Sequence, residues 1–328
     1  MKDLLNIIIP MRLSLVYKLR KILPVILVVG LILPLILSGC GKPSSEPQEQ
    51  QMAASTIAAM SKVKSYNLNT YMTENYIVAG KSSPSLTADL WQWTSQRQVD
   101  ISKQEMYLAM DSREAAGTTG NIFAFERYLS GGWMYYGQSL PYTGGKGNPW
   151  IKTRLDEQNT IIWLDEAQLA PQIELLKSSD SIRLAGTEKV NGTDCYIIDL
   201  VPLAEAAADW VLSQEQYSGS SMGWFRMPPE RSKEIYIKAF KSGSVRLWIE
   251  KDDYLISKVN ISLVFDGVPG NIVRGDTGLD VTGQENPTDV GFDHIIRDFN
   301  GQWEFSDYNK PVHIQLPKEA LSATESGD

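Results

Sequence analysis

Between Leu255 and Phe265 the chain alternates. Leu255, Val259, Ile261, Leu263 and Phe265 fall on one side, and Lys258, Asn260 and Ser262 fall on the other. Side chains repeat with period two only in an extended strand, so one face enters a core and the other meets water. A partner strand, Ser244–Glu250, precedes it across the polar turn Lys251-Asp252-Asp253. A second hairpin lies upstream, where Ile182–Val190 and Asp194–Val201 flank Asn191-Gly192. That dipeptide tolerates the two positive φ angles a two-residue hairpin turn demands.

The same pattern runs through most of the chain. Tyr66, Leu68, Thr70 and Met72 alternate with Asn67, Asn69, Tyr71 and Thr73. Further strands are expected over 86–95, 103–111, 121–129, 132–138, 232–241, 291–305 and 311–316, punctuated by Gly, Ser and Pro at 80–85, 117–120 and 131–132. Helical spacing is confined to three places. Residues 51–63 put Met52, Ile57, Met60 and Val63 on one side, and 204–216 cluster Ala207, Trp210, Val211 and Leu212. Residues 159–178 space Ile162, Leu169, Ile173 and Leu176 on one face, with a break expected at Pro171. Residues 218–231 and 267–289 read as loops. The sum is a mainly β, α+β chain with few helices and about eleven strands in antiparallel order, a size at which sheets curl.

The first forty residues follow a different logic. Lys2, Arg12, Lys18, Arg20 and Lys21 precede an uncharged apolar run, Ile22–Leu37. The run is shorter than the roughly 20 residues a membrane-spanning helix needs, and Pro24 and Pro34 interrupt it. Basic flank, short apolar core and small terminal residues are the parts of a secretory signal. Leu37-Ser38-Gly39-Cys40 resembles the lipobox of bacterial lipoproteins, which implies lipid attachment at Cys40 after removal of residues 1–39. Residues 40–51 contain no large apolar side chain until the helix begins, and are expected to be a flexible tether. A single domain is expected over 52–316 and a disordered tail over 317–328.

Charge excludes some partners. The chain has 31 basic and 39 acidic residues. Without the five basic residues and the single acid, Asp3, of residues 1–39, the remainder carries about −12. That sign disfavours nucleic acid and anionic surfaces. Once Cys40 is used for lipid, only Cys195 remains, so no intramolecular disulfide supports the fold. Cys195 lies in a strand and reads as a small buried hydrophobe.

The order of elements resembles the LolA-like lipoproteins, including the LppX-like ones. It runs from a short helix through a meander of long strands to a mid-chain helical insert. The strand–Asn-Gly–strand unit LAGTEKVNGTDCYIIDL follows, and then VRLWIEKDDYLISKVNISL. The resemblance spans about residues 50–316, and the long 204–231 and 267–289 segments depart from it. It implies a curved, half-open antiparallel β-barrel capped by short helices, with an apolar cavity between sheet and helices that holds acyl chains. Trp and Tyr suit such a wall, so Trp91, Trp93, Tyr107, Phe123, Trp133, Tyr135, Trp163 and Trp210 are its candidate lining.

Chemistry is sparse. Gly219-Ser220-Ser221-Met222-Gly223 matches G-x-S-x-G, and Asp289 with His294 or His313 could complete a triad around Ser221. The motif requires a strand before and a helix after. A helical stretch precedes it here, and Trp224-Phe-Arg-Met-Pro-Pro follows. Asp276, Asp280, Glu285, Asp289 and Asp293 lack the spacing of a calcium loop and read as a solvated run. No metal or cofactor is expected. The expected function is non-enzymatic. It is that of a monomeric lipoprotein, anchored on the extracytoplasmic face of a membrane by its N-terminal lipid, carrying a lipid or lipoprotein ligand. The alternatives are an envelope scaffold with a closed core and a lipid-anchored esterase using Ser221.

Overall fold

The computed structural model describes residues 48–80, 83–114, 122–139, 150–155, 169–217, 229–268 and 292–325. These residues belong to one compact unit, Gln48–Asp328. Five helices are present among them: α1 (Glu49–Met60), α2 (Ala170–Lys177), α3 (Ala204–Tyr217), α4 (Pro229–Ala239) and α5 (Lys318–Leu321).

Twelve strands form one open, curved sheet. β1 (Ser65–Gly80), β2 (Ser83–Asp100), β3 (Glu105–Glu114), β4 (Ile122–Ser130), β5 (Trp133–Ser139) and β6 (Ile151–Arg154) make one meander. β7 (Ser179–Val190), β8 (Thr193–Pro202), β9 (Phe240–Glu250), β10 (Ile256–Val268) and β11 (Phe292–Ser306) make the other. The two meanders join at the centre, where β1 pairs with β11 from Asn67↔Ser306 to Gly80↔Phe292. β12 (Thr324–Glu325) adds a parallel pair to β6 at one edge.

Pairing register sorts the side chains onto two faces. One row on the inner, helix-facing side runs Leu68↔Arg97↔Leu108↔Arg127↔Tyr136 across β1 to β5. On the other side of the seam, Val245, Leu247, Val259, Ile261, Leu263, Phe265 and Phe299 are buried on that same face. Period-two burial along β10 reproduces the alternation read from the sequence. At the Asn191-Gly192 turn, φ is 51° and 87°, the two positive values of a type I′ hairpin.

Several expectations change. Residues 232–241, expected as a strand, belong instead to helix α4 as far as Ala239. Ile235-Tyr236-Ile237 favours a strand locally. Ser232, Tyr236 and Ala239, however, recur at helical spacing and are buried, and Tyr236 meets Phe265 edge-on at 5.2 Å. Proline at the first helical position suits the start of α4. Residues 311–316 hold no strand. Within 159–178 the described helix is α2, with Pro171 in its first turn rather than at a break. Residues 318–325 lie in the stretch expected to be disordered, yet they carry α5 and β12, and Ala320 is fully buried.

Candidate functional site

The inner face has two halves. Over β7–β10 the helices fill the space: α1 packs on β7, α2 on β8, α3 on β9 and α4 on β10. Trp210 from α3 meets Trp303 of β11 edge-on at 5.1 Å, and both are buried. Phe265 packs edge-on against Phe299 at 6.0 Å. This half is core.

The other half is the inner face of β1–β4. Here Met72 faces Trp93, and Ser95 faces Met110, which in turn faces Phe125. Trp91 and Trp93 point the same way, two residues apart, and stack with ring centroids 6.2 Å apart. Met72, Trp93, Met110 and Phe125 are buried, while Trp91 is half-buried. Cross-strand neighbours at this spacing form a largely apolar strip, interrupted by Ser95 and by Ser112 opposite Trp93. Arg97 and Arg127 flank Leu108 one row away, and the Arg127 guanidinium lies 5.6 Å from the Phe125 ring centroid.

Alternation separates the sequence-derived candidates. Trp91 and Trp93 lie on the strip, and Trp210 is part of the filled half. Tyr107, Trp133 and Tyr135 face the opposite, outer side of the sheet. Their neighbours Leu108, Met134 and Tyr136 take the inner positions. Tyr107 instead packs on Tyr128, with centroids 4.8 Å apart, and Lys152 Nζ lies 5.0 Å over the Trp133 ring. Burial pushes the Tyr107 and Tyr128 phenols above their ordinary pKa. Phe123 is placed in β4 opposite Ser112. Trp163, Cys40 and the Gly219–Gly223 motif with Ser221 lie outside the described residues, as do Asp276, Asp280, Glu285 and Asp289.

Cys195 is fully buried in β8, and burial raises its thiol pKa, the opposite of what activates a thiolate. His294 lies in β11 opposite Ala79, and His313 follows β11 in an irregular segment. Among the described residues no three His, Cys, Asp or Glu side chains gather as metal ligands. No helix among them is long and apolar enough to cross a membrane.

The outer face carries two grooves that sequence reading missed. One crosses β1 and β7–β11 with a volume of about 780 Å³. At its centre Asp199 accepts hydrogen bonds from Arg183 (2.7 Å) and Arg246 (2.6 and 3.1 Å). Hydrogen bonding from Arg246, with the charges of both arginines, holds the Asp199 carboxyl below its ordinary pKa. The other groove crosses β1–β5 with a volume of about 650 Å³ and is walled by Trp150. Each strand contributes one to three residues to it, so no single local run in the sequence announces it.

No family model and no curated protein matches the chain. Among solved structures it is similar to LprF from Mycobacterium bovis, at 12% identity over 83% of this chain and 98% of that one, with a TM-score of 0.43. It is also similar to the lipoprotein LppX from Mycobacterium tuberculosis, at 11% identity over 82% and 100%, with a TM-score of 0.36. A LolA superfamily protein from Nitrosomonas europaea has 11% identity over 84% and 97%, with a TM-score of 0.20.

Proposed function

We propose that this chain is a lipoprotein, anchored through Cys40 on the extracytoplasmic face of a bacterial membrane, that takes an apolar chain against the inner face of β1–β4. The anchor reading rests on the basic flank, the short apolar run and Leu37-Ser38-Gly39-Cys40. The observation that carries the ligand reading is the stacked Trp91–Trp93 pair beside Met72 and Met110. Met72, Trp93, Met110 and Phe125 belong to the same buried cluster as Trp210 and Tyr236, while the helices make their stronger sheet contacts over β7–β10. Burial of methylene groups is worth roughly 0.8 kcal/mol each, so an acyl chain needs no charged contact there.

Native mass spectrometry of the full chain, purified from membranes in mild detergent, tests both parts. The covalent lipid adds mass to Cys40, and Cys40→Ser abolishes it. A second, non-covalent lipid is expected to be released on activation, with about tenfold lower occupancy in Trp93→Ala. Wild-type protein that carries the anchor but never a second lipid would sink the carrier reading. That result would favour a closed-core envelope scaffold, for which the tight Trp210–Trp303 and Tyr236–Phe265 packing already speaks.

A further inference from the structure

We propose that the outer-face groove over β1–β5 binds an uncharged saccharide chain. It lies on the side of the sheet away from the apolar strip, so this inference stands apart from the carrier reading.

The groove is built by register. One row of outward positions runs Asn69↔Gln96↔Ala109↔Glu126↔Gly137 across five strands. The next row runs Thr94↔Asp111↔Ala124. Acidic and amide side chains therefore stand beside Ala and Gly. The small residues form a floor, and the polar ones rise around it. Five strands at about 4.8 Å spacing give a trough of about 19 Å, longer than one sugar ring.

Trp150 closes one end. Its ring lies flat enough on Gly137 that a Cβ there would come within 2.7 Å of it, so only glycine leaves it room. Its ring centroid is 5.7 Å from that of Tyr128. Its carbonyl accepts a 3.0 Å hydrogen bond from the Thr324 N–H, so the β12 segment holds it in place. The wall is therefore pre-formed.

The polar groups of the groove are left free for a ligand. Among the described residues, Asn69, Thr94, Gln96 and Asp111 make no side-chain hydrogen bond or ion pair, and Glu126 receives only a long one, 3.4 Å, from the Tyr128 hydroxyl. Carboxylates accept from hydroxyl groups, amides both donate and accept, and an indole offers apolar surface to the C–H face of a sugar ring. Among the described residues, Asp111 and Glu126 are the only charged ones lining the groove. They repel an anionic ligand. A small cation would use the two carboxylates and leave the amide row and the length of the trough without a purpose.

The test is titration of the full chain, in detergent micelles, with chitotetraose and cellotetraose, followed by tryptophan fluorescence and calorimetry. Saturable binding of at least one tetrasaccharide is expected. Trp150→Ala and Asp111→Asn should each weaken it about tenfold. Ala109→Leu, from a half-exposed floor position, should abolish it without lowering the melting temperature. The inference is overturned if neither sugar binds at about 10 mM, or if Ala109→Leu leaves binding intact. It is also overturned if pentalysine binds in the groove and neither sugar does.

Discussion

Glu74 of β1 and Arg297 of β11 form an ion pair on the inner face, 223 residues apart in sequence, with side chains only 4% and 3% exposed. Arg297 Nε donates to Glu74 Oε1 at 2.5 Å, and the guanidinium lies 4.7 Å from the Phe299 ring centroid. The pair spans the seam at which the two meanders join. Removing one member of a buried pair takes away the charge that faces the other, which costs more than the pair contributes. Glu74→Gln should therefore lower unfolding stability by about 3 kcal/mol. Joint replacement with Arg297→Met should recover much of that loss. Urea unfolding of the two variants measures both, and a Glu74→Gln midpoint equal to wild type would contradict the assignment.

Gly301 lies on β11 directly beside the Trp303 indole. A Cβ at 301 would run into the six-membered part of that ring, which packs edge-on against Trp210. Gly301→Ala is expected to cost about 1–3 kcal/mol through overpacking. It should also alter the near-ultraviolet circular dichroism of the indoles. An unchanged spectrum and melting point would mean that the ring moves aside freely.

Tyr66 is buried beside Phe305 and Tyr308. Burial pushes its phenol up to about 12 from an ordinary 10, and the nearby Arg97 charge only partly opposes this. The folded state thus holds the proton more tightly than the unfolded state. The associated stability is fully present below pH 10 and is lost as the pH rises from 10 towards 12. Each pKa unit corresponds to about 1.4 kcal/mol. Tyr66→Phe should flatten the alkaline fall in stability over that window. A slope remains from Tyr308, whose phenol burial also raises and whose hydroxyl donates to the Ile256 carbonyl at 2.7 Å. Equal alkaline slopes for wild type and Tyr66→Phe would refute this.

Much of the fold was legible where one period dominated. Residues 204–216 carried a single helical stripe, and the helix runs Ala204–Tyr217. Asn191-Gly192 specified its turn through backbone geometry alone. Residues 232–241 misled because Ile235-Tyr236-Ile237 carries strand propensity. Packing of Tyr236 on Phe265 outweighed that local preference. The candidate site was less legible. Trp91 and Trp93 were found as aromatics and do share the inner face. Tyr107, Trp133 and Tyr135 looked the same in sequence and face the other way. A shift of one residue moves a side chain across the sheet, and aromatic type carries no information about parity.

The sequence by itself determined a chain of alternating strands, two hairpins with their turns, and a few helices. Those features are local, written in periods of two and 3.6 and in the φ preferences of single residues. Tertiary structure decided the rest: that β1 closes on β11, that Glu74 meets Arg297, and which parity of each strand turns toward the helices. It alone assembled the groove beneath Trp150, because Asn69, Gln96, Ala109, Glu126 and Gly137 become neighbours only when five strands pair in register.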